Sequence, residues 1–351
     1  MRTIGSRLFQ LQCFLFAGFF FAASAAFGSD LLFSDDFRSG DLSTHNDHFR
    51  WGSGGIPNPG SGSDTIVELV GPHGTPVKAR RFRYVGFEDG GSGDAAHWSE
   101  QRFSLTHSVH DQRTSNGHSD VAFPEVWISF RMHVPENYFH MMRGGRASGD
   151  NQKGWIYLWK DAYERWTSSW PDAEVTPTSI STHWWPLSDD PEDVAYGMSR
   201  MAIAATSERL GWGQRDEPTF LREAETISGS RWNNGRPYAF SGEEFGTWVH
   251  YTFGVRVASD PGNVNDGFFR MYKDGELAVA WEGLDNGSTE VGRNGFDRGY
   301  LMGYHNTGYN ETTEYHLTDF KIGLTKDSVL KGFNEANPLA RPKPPALESA
   351  N

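Results

Sequence analysis

The chain has 351 residues, 40 of them Gly and 17 Pro, with 14% aromatic and only 22% charged residues. A disordered chain is poor in aromatics and rich in charge, and a helical bundle leans on Ala, Leu, Glu and Lys, so this composition excludes the first and argues against the second. A formal net charge of −13 argues against a nucleic-acid binder, and an acidic partner would need a cationic groove built locally.

Residues 1–28 carry Arg2 and Arg7 and no acid, then an apolar run over 13–22, then small residues. That is the pattern of a secretory signal peptide, and the run is too short to span a bilayer comfortably. The expectation is a protein secreted or released to the periplasm, with no membrane contact after cleavage. Cys13 is the only cysteine and leaves with the signal, so neither a disulfide nor a thiol nucleophile is expected in the exported chain. Asp35, Asp36 and Asp41 follow soon after. Their oxygens either hold a structural Ca²⁺ or serve as turn and cap residues.

Over 125–134 the apolar residues Val126, Ile128, Phe130, Met132 and Val134 alternate with Glu125, Trp127, Ser129, Arg131 and His133. This period of two predicts a long half-buried strand. A second strand covers 153–159, with Lys153, Trp155, Tyr157 and Trp159 expected on one face. Asp190 as cap, Pro191 in the first turn and Glu192 and Asp193 at the positive end of the dipole predict a short helix, its body over 194–204. Val249, Tyr251, Phe253, Val255 and Val257 mark another strand. Residues 268–273 and 276–281 flank Asp274-Gly275, the signature of a tight hairpin. Strands over 300–306 and 315–324 follow, the first with Tyr300, Met302, Tyr304 and Asn306 in a row. Four prolines between 338 and 345 cannot pair in a sheet, so 332–351 reads as a disordered Pro-rich tail. Residues 29–331 are then one all-β domain, a two-sheet antiparallel β-sandwich of jelly-roll type with long loops and one short helix.

The chain has no His-Glu-x-x-His, no Cys pair, no EF-hand loop and no Gly-x-Ser-x-Gly elbow. A glycosidase needs two carboxylates on its site, and the strand 125–134 carries only Glu125. The strands instead carry cations, phenols and indoles. Aromatic faces stack on sugar rings, and Arg or Lys pairs with carboxylates. If Arg131 and His133, the row Lys153, Trp155, Tyr157 and Trp159, and the row Tyr300, Tyr304 and Asn306 line one concave sheet, they suit an acidic polysaccharide. β-Elimination of a uronate polymer needs a group to neutralise the carboxylate, a base for the C5 proton and an acid for the leaving oxygen. Arg131, His133 and Tyr304 are the candidates for those roles, and no cofactor is required. The competing reading is an ordinary sheet face under loops.

Residues 32–43, 248–255 with 266–277, and 300–305 with 315–323 resemble the opening, paired and closing strands of the concanavalin A-like jelly rolls, notably the heparin lyase I-like and alginate lyase groups. The resemblance covers about a third of the chain. It implies the fold and a polysaccharide lyase activity. Relative to the Tyr-x-Lys-x-Gly-x-Tyr strand of alginate lyases, Tyr300-Leu301-Met302-Gly303-Tyr304 is shorter, with Met302 about where the lysine stands. Arg131-Met132-His133 is the stretch nearest to their Gln-x-His strand, and Glu100-Gln101-Arg102 is similar to an arginine-bearing strand. Three functions follow as expectations: a secreted polysaccharide lyase, a non-catalytic lectin-like carbohydrate-binding domain, and an adhesion protein. The lyase requires Arg131 and His133 to converge on Tyr304.

Overall fold

The computed structural model describes residues 30–52, 66–92, 97–105, 122–138, 152–160, 178–186, 199–206, 221–223, 244–289, 294–305 and 308–333. The expected signal peptide and the prolines of the tail lie outside them. Strands numbered in chain order form two sheets. The first runs β14 (Glu276–Leu284), β13 (Gly267–Lys273), β12 (Trp248–Arg256), β7 (Glu125–His133), β16 (Thr313–Gly323), β5 (Pro76–Tyr84) and β4 (Ile66–Val70), with β1 (Leu31–Asp35) also paired to β16. The second runs β11 (Leu221–Glu223), β10 (Ser199–Thr206), β9 (Ser179–Pro186), β8 (Gln152–Trp159), β15 (Arg298–Tyr304), β6 (Trp98–Ser104), β3 (Phe49–Trp51) and β2 (His45–Asn46). Every described pairing is antiparallel. The fold is an all-β two-sheet antiparallel sandwich.

Period-two alternation builds its interior. Val126, Ile128, Phe130 and Met132 of β7 and Val249, Tyr251, Phe253 and Val255 of β12 are buried together with Ile156, Leu158 and Leu301 of the second sheet. At one end the Phe49 ring stacks on Phe33 at 4.1 Å and on Phe103 at 5.5 Å, with Trp51 at 4.9 Å edge-on. These three β3 and β6 rings tie the second sheet to Phe33 and Phe320 of the first. The Asp274-Gly275 turn has φ of 48° and 85°, the paired left-handed conformation that a tight hairpin requires.

Of the helix expected over 194–204, residues 199–204 are strand instead, and 194–198 lie outside the described residues. Ser199–Thr206 is strand β10, paired with β9 and β11. Ile203 and Ala205, two residues apart, are buried in the core. The capping signal at 190–193 is local, whereas the burial of alternate side chains between two strands is not, and the longer-range term wins. The α-helix of the described residues is α1 (Lys326–Leu330), where the Thr325 hydroxyl accepts the Ser328 N–H at 3.3 Å. It lies on the outer face of the first sheet, with Val329 buried against Trp127 and Phe268. Gly332 and Phe333, expected in the tail, belong to the folded body: the Phe333 ring stacks on His250 at 4.1 Å. Among the described residues no helix is long and apolar enough to cross a membrane.

Phe49 is fully buried at the centre of the aromatic cluster. Phe49→Ala is expected to cost about 3–5 kcal/mol of stability. Urea unfolding checks this as a lower midpoint at unchanged slope.

Candidate functional site

In β7, Phe130 and Met132 face the second sheet, so Arg131 and His133 between them turn to the outer face of the first. Tyr157 and Trp159 of β8 and Tyr300 and Tyr304 of β15 belong to the second sheet. Arg131 and His133 therefore do not meet Tyr304, and the expected convergence is corrected. Alternation along a strand decides in or out; it does not say which sheet the strand joins. Arg131 has Nε 3.4 Å from Asp319 Oδ2 and its guanidinium 5.3 Å over the Phe333 ring. It holds the C-terminal segment to the sheet. His133 lies edge-on to Trp248 at 5.4 Å and 6.1 Å from His316.

The histidines of this face are held neutral. Burial lowers the His133 pKa, offset in part by the Gly246 backbone and Glu136. Burial, with His133 and Arg81 adding positive charge, pushes His316 down to about 4. Burial, with Arg131 and Lys321, pushes His250 down to about 3, and its Nε2 lies 2.7 Å from the Ser129 hydroxyl.

The outer face of the second sheet is different. Tyr157 lies 5.1 Å from both Trp159 and Tyr300, and Trp159 lies 5.9 Å from Tyr300. Three half-buried rings from β8 and β15 thus form one platform. Tyr300 faces Arg102 of β6 across the ladder, and Tyr304 faces Trp98. Between those levels Glu100 accepts a hydrogen bond from Arg102 Nε and another from Trp98 Nε1, each at 2.6 Å. The Glu100 side chain is 2% exposed and that of Arg102 49%. A buried carboxylate therefore draws an accessible guanidinium toward the Tyr304 end, where the Trp98 and Tyr304 rings are 6.1 Å apart. Burial, then Tyr157 and Glu100, holds the Tyr300 phenol well above its ordinary pKa, and burial raises that of Tyr157 despite the Ser179 hydroxyl. Both platform phenols stay neutral.

Trp155 does not share the face of Tyr157 and Trp159. It is fully buried, its Nε1 donates to Met132 Sδ at 3.3 Å, and its ring lies 4.5 Å from Tyr251. Its φ is 115°, and that of Met302, its ladder partner on β15, is 61°. Met302 is buried in the same core rather than standing in the row with Tyr300 and Tyr304. Gly154 and Gly303 beside these residues were the available sequence signal, since glycine in a strand marks a bulge or a flip. Lys153 pairs with His183 through the β8–β9 ladder, its side chain lying outside the described residues, as does Asn306. Glu100 as an anchor for Arg102 and Trp98 is what residue-by-residue analysis missed, although Trp98, Glu100 and Arg102 alternate with Ser99, Gln101 and Phe103. The early aspartates are engaged in turns: Asp35 accepts from Phe37 N and Trp51 Nε1, Asp36 from Arg38 N, and Asp41 from Ser43 N. Among the described residues no group of three His, Cys, Asp or Glu is placed to hold a metal ion.

No protein-family model matches the sequence, and no curated protein matches it. Solved structures similar to this chain include the alginate lyase Aly36B, at 9% identity and TM-score 0.42 over 70% of this chain and 80% of that one. The endo-β-1,4-glucuronan lyase of the fungus Trichoderma reesei is similar at 13% identity and TM-score 0.45 over 85% and 98%. The alginate lyase vAL-1 from Chlorella virus is similar at 10% identity and TM-score 0.40 over 74% and 90%. What each of those enzymes acts on is a property of that enzyme.

The depressed histidines make stability depend on pH. Because the fold favours neutral imidazole, the contribution of His316 and His250 is complete above the unfolded-state value near ~6.5 and is lost as pH falls toward the folded values of about 4 and about 3. Each histidine lowers stability by up to about 1.4 kcal/mol per pH unit in that window. His316→Gln is expected to flatten the decline between pH 6 and pH 4, followed by urea unfolding at each pH.

Proposed function

We propose that this protein is exported and acts on a uronate-containing polysaccharide along the outer face of the second sheet, cleaving it by β-elimination. The observation that carries the proposal is the buried Glu100 carboxylate fixing Arg102 Nε at 2.6 Å beside the Tyr157, Trp159 and Tyr300 platform. Aromatic faces cover the apolar side of sugar rings. An arginine anchored through Nε keeps its terminal N–H fork for a substrate carboxylate, the geometry that suits bidentate pairing.

Arg102 in this role replaces Arg131, which lies on the other sheet. Pairing with the uronate carboxylate withdraws electron density from C5 and stabilises the carbanion that forms when its proton leaves. The electron pair then forms the C4–C5 double bond as the C4–O bond breaks and the leaving oxygen takes a proton. Tyr304 is the proposed proton carrier for both transfers. It stands one pleat repeat, about 7 Å along the strand, beyond the level of Glu100. His133 has no part. Lys153 at the start of β8 and Asn306 beyond the end of β15 extend the proposed contacts with the polymer. The reaction needs no cofactor.

The test is incubation with a panel of polyuronates while absorbance of the unsaturated product is followed. Arg102→Ala and Tyr304→Phe are each expected to lower kcat/KM at least about a hundredfold, whereas His133→Ala leaves it unchanged. Retention on a polyuronate without product from any polymer would sink the catalytic half of the proposal. Normal turnover by both variants would remove the residue assignment.

A further inference from the structure

A helix as short as α1 does not persist alone in water, because so few hydrogen bonds never offset its nucleation. Its five residues are helical because of what they dock on. Val329 is buried with Trp127 and Phe268, and the Lys326 ammonium sits 3.6 Å over the Tyr272 ring. Beyond the helix, Gly332 turns the chain with φ of 89°. Phe333 then lies flat on His250 of β12, the ring centroids 4.1 Å apart and the planes 17° apart.

What lies beneath Phe333 is polar and cationic. His250 Nε2 is 2.7 Å from the Ser129 hydroxyl, which is 3.3 Å from that of Thr252. Arg131 of β7 and Lys321 of β16 act on the imidazole, and both also sit over the Phe333 ring, at 5.3 and 4.3 Å. The Lys321 ammonium bonds the Lys331 carbonyl. Asp319 of β16 lies against Arg131, and Asp274 at the β13–β14 turn accepts the His250 backbone N–H at 3.1 Å. Lys273 of β13 is engaged with Glu244. A neutral imidazole stacks well in this setting, whereas an imidazolium would be caught between two cations under an apolar ring.

We propose that residues 325–333 form an acid-released strap, held on the outer face of the first sheet while His250 is uncharged and let go when that imidazole takes a proton. The inference is independent of the polyuronate reading. Burial, then Arg131 and Lys321, pushes the docked His250 down to about 3. An imidazole freed by release returns toward its ordinary value of ~6.5. The released strap therefore takes up a proton that the docked one refuses. Docking is at full strength above about pH 6.5 and weakens as pH falls toward 3. Burial raises the Asp319 carboxyl, and its exposure works in the opposite direction.

Hydrogen exchange of the Ser328, Lys331 and Phe333 amides, which bond Thr325, Asp327 and Leu330, reads the release. Each rate is divided by that amide's unstructured rate at the same pH. In the parent, strap opening is expected to rise at least about thirtyfold from pH 7 to pH 4, under a ceiling of about two-hundredfold set by His250 alone. At both pH values the strap opens at least about tenfold more often than the amides of β7 and β12 beneath it, the mark of a local release. His250→Gln keeps a partner for Ser129, and His250→Phe keeps a ring to stack on Phe333. Neither can take a charge, so the rise in each is expected to stay below about threefold. If neither variant folds, Phe333→Ala, which uncovers His250 without changing it, is read in their place, with opening already at pH 7 and the same small rise. A parent rise below about threefold overturns the strap, as does a parent-like rise in the variants. Opening of the strap only together with β7 and β12 overturns it as well.

Discussion

A strand inside a sandwich must give one face to the interior, and that constraint governs this protein. Successive side chains alternate, so once Phe130 and Met132 are buried, Arg131 and His133 are committed to the outside. The same rule sends Tyr157 and Trp159 outward when Ile156 and Leu158 turn in. Departures from the rule are few and located. Trp155 and Met302 break it as a matched pair on neighbouring strands, and Asp319, with φ of 53°, breaks it on β16 beside a register shift. At Asp319 the break places a carboxylate next to Arg131. At Trp155 and Met302 it sends two large side chains into the core.

Two arginines on equivalent outward positions have opposite fates. The Arg131 side chain is 12% exposed, lying between Asp319 and the Phe333 ring. Lys321 also sits over that ring, at 4.3 Å, and its ammonium bonds the Lys331 carbonyl. These contacts fasten α1 and Phe333 across the first sheet. Burial of the imidazoles themselves drives His250 and His316 neutral, with Arg131 and Lys321 adding to it at His250 and His133 and Arg81 at His316. Arg102 meets its carboxylate partner Glu100 along its own strand, and its side chain stays half exposed. Glu100, in turn, is a buried charge that is tolerated because two N–H donors satisfy it.

The fold class, the β7, β12, β13–β14 and β16 strands and the Asp274-Gly275 turn were legible in the sequence, because each depends on local alternation or local turn chemistry. β10 was not. Its residues carry helix-compatible signals, and only pairing with β9 and β11 makes them a strand. The site was half legible. Tyr157, Trp159, Tyr300 and Tyr304 were found from composition and period, and they do lie on strands of one sheet. Arg131 and His133 satisfy the same pattern equally well, and nothing within a strand says which of two sheets will receive it. Trp155 fits the alternating row by number but not by direction, since a single flipped residue is invisible to a period of two. Glu100 is a different case: its importance comes from two hydrogen bonds along its own strand, and an isolated acid among polar residues carries no sign of them.

The chain's charge sharpens what the second sheet can do. With a net charge of −13, the protein repels a polyanion at long range, and electrostatic steering cannot bring an acidic polymer in. That repulsion fades beyond about 10 Å at 0.1 M salt, whereas contact interactions inside a partly dehydrated site are screened far less. Under the proposed function, recognition of a uronate polymer would come from short-range terms: ring stacking on Tyr157, Trp159 and Tyr300, and one guanidinium whose position Glu100 has already set. Preorganisation matters more here than total charge, because an arginine that is already oriented loses less freedom on pairing than a mobile lysine would. A protein so acidic overall accepts an acidic ligand where cations are held this firmly, and Arg102 beside the Tyr157, Trp159 and Tyr300 platform is one such place.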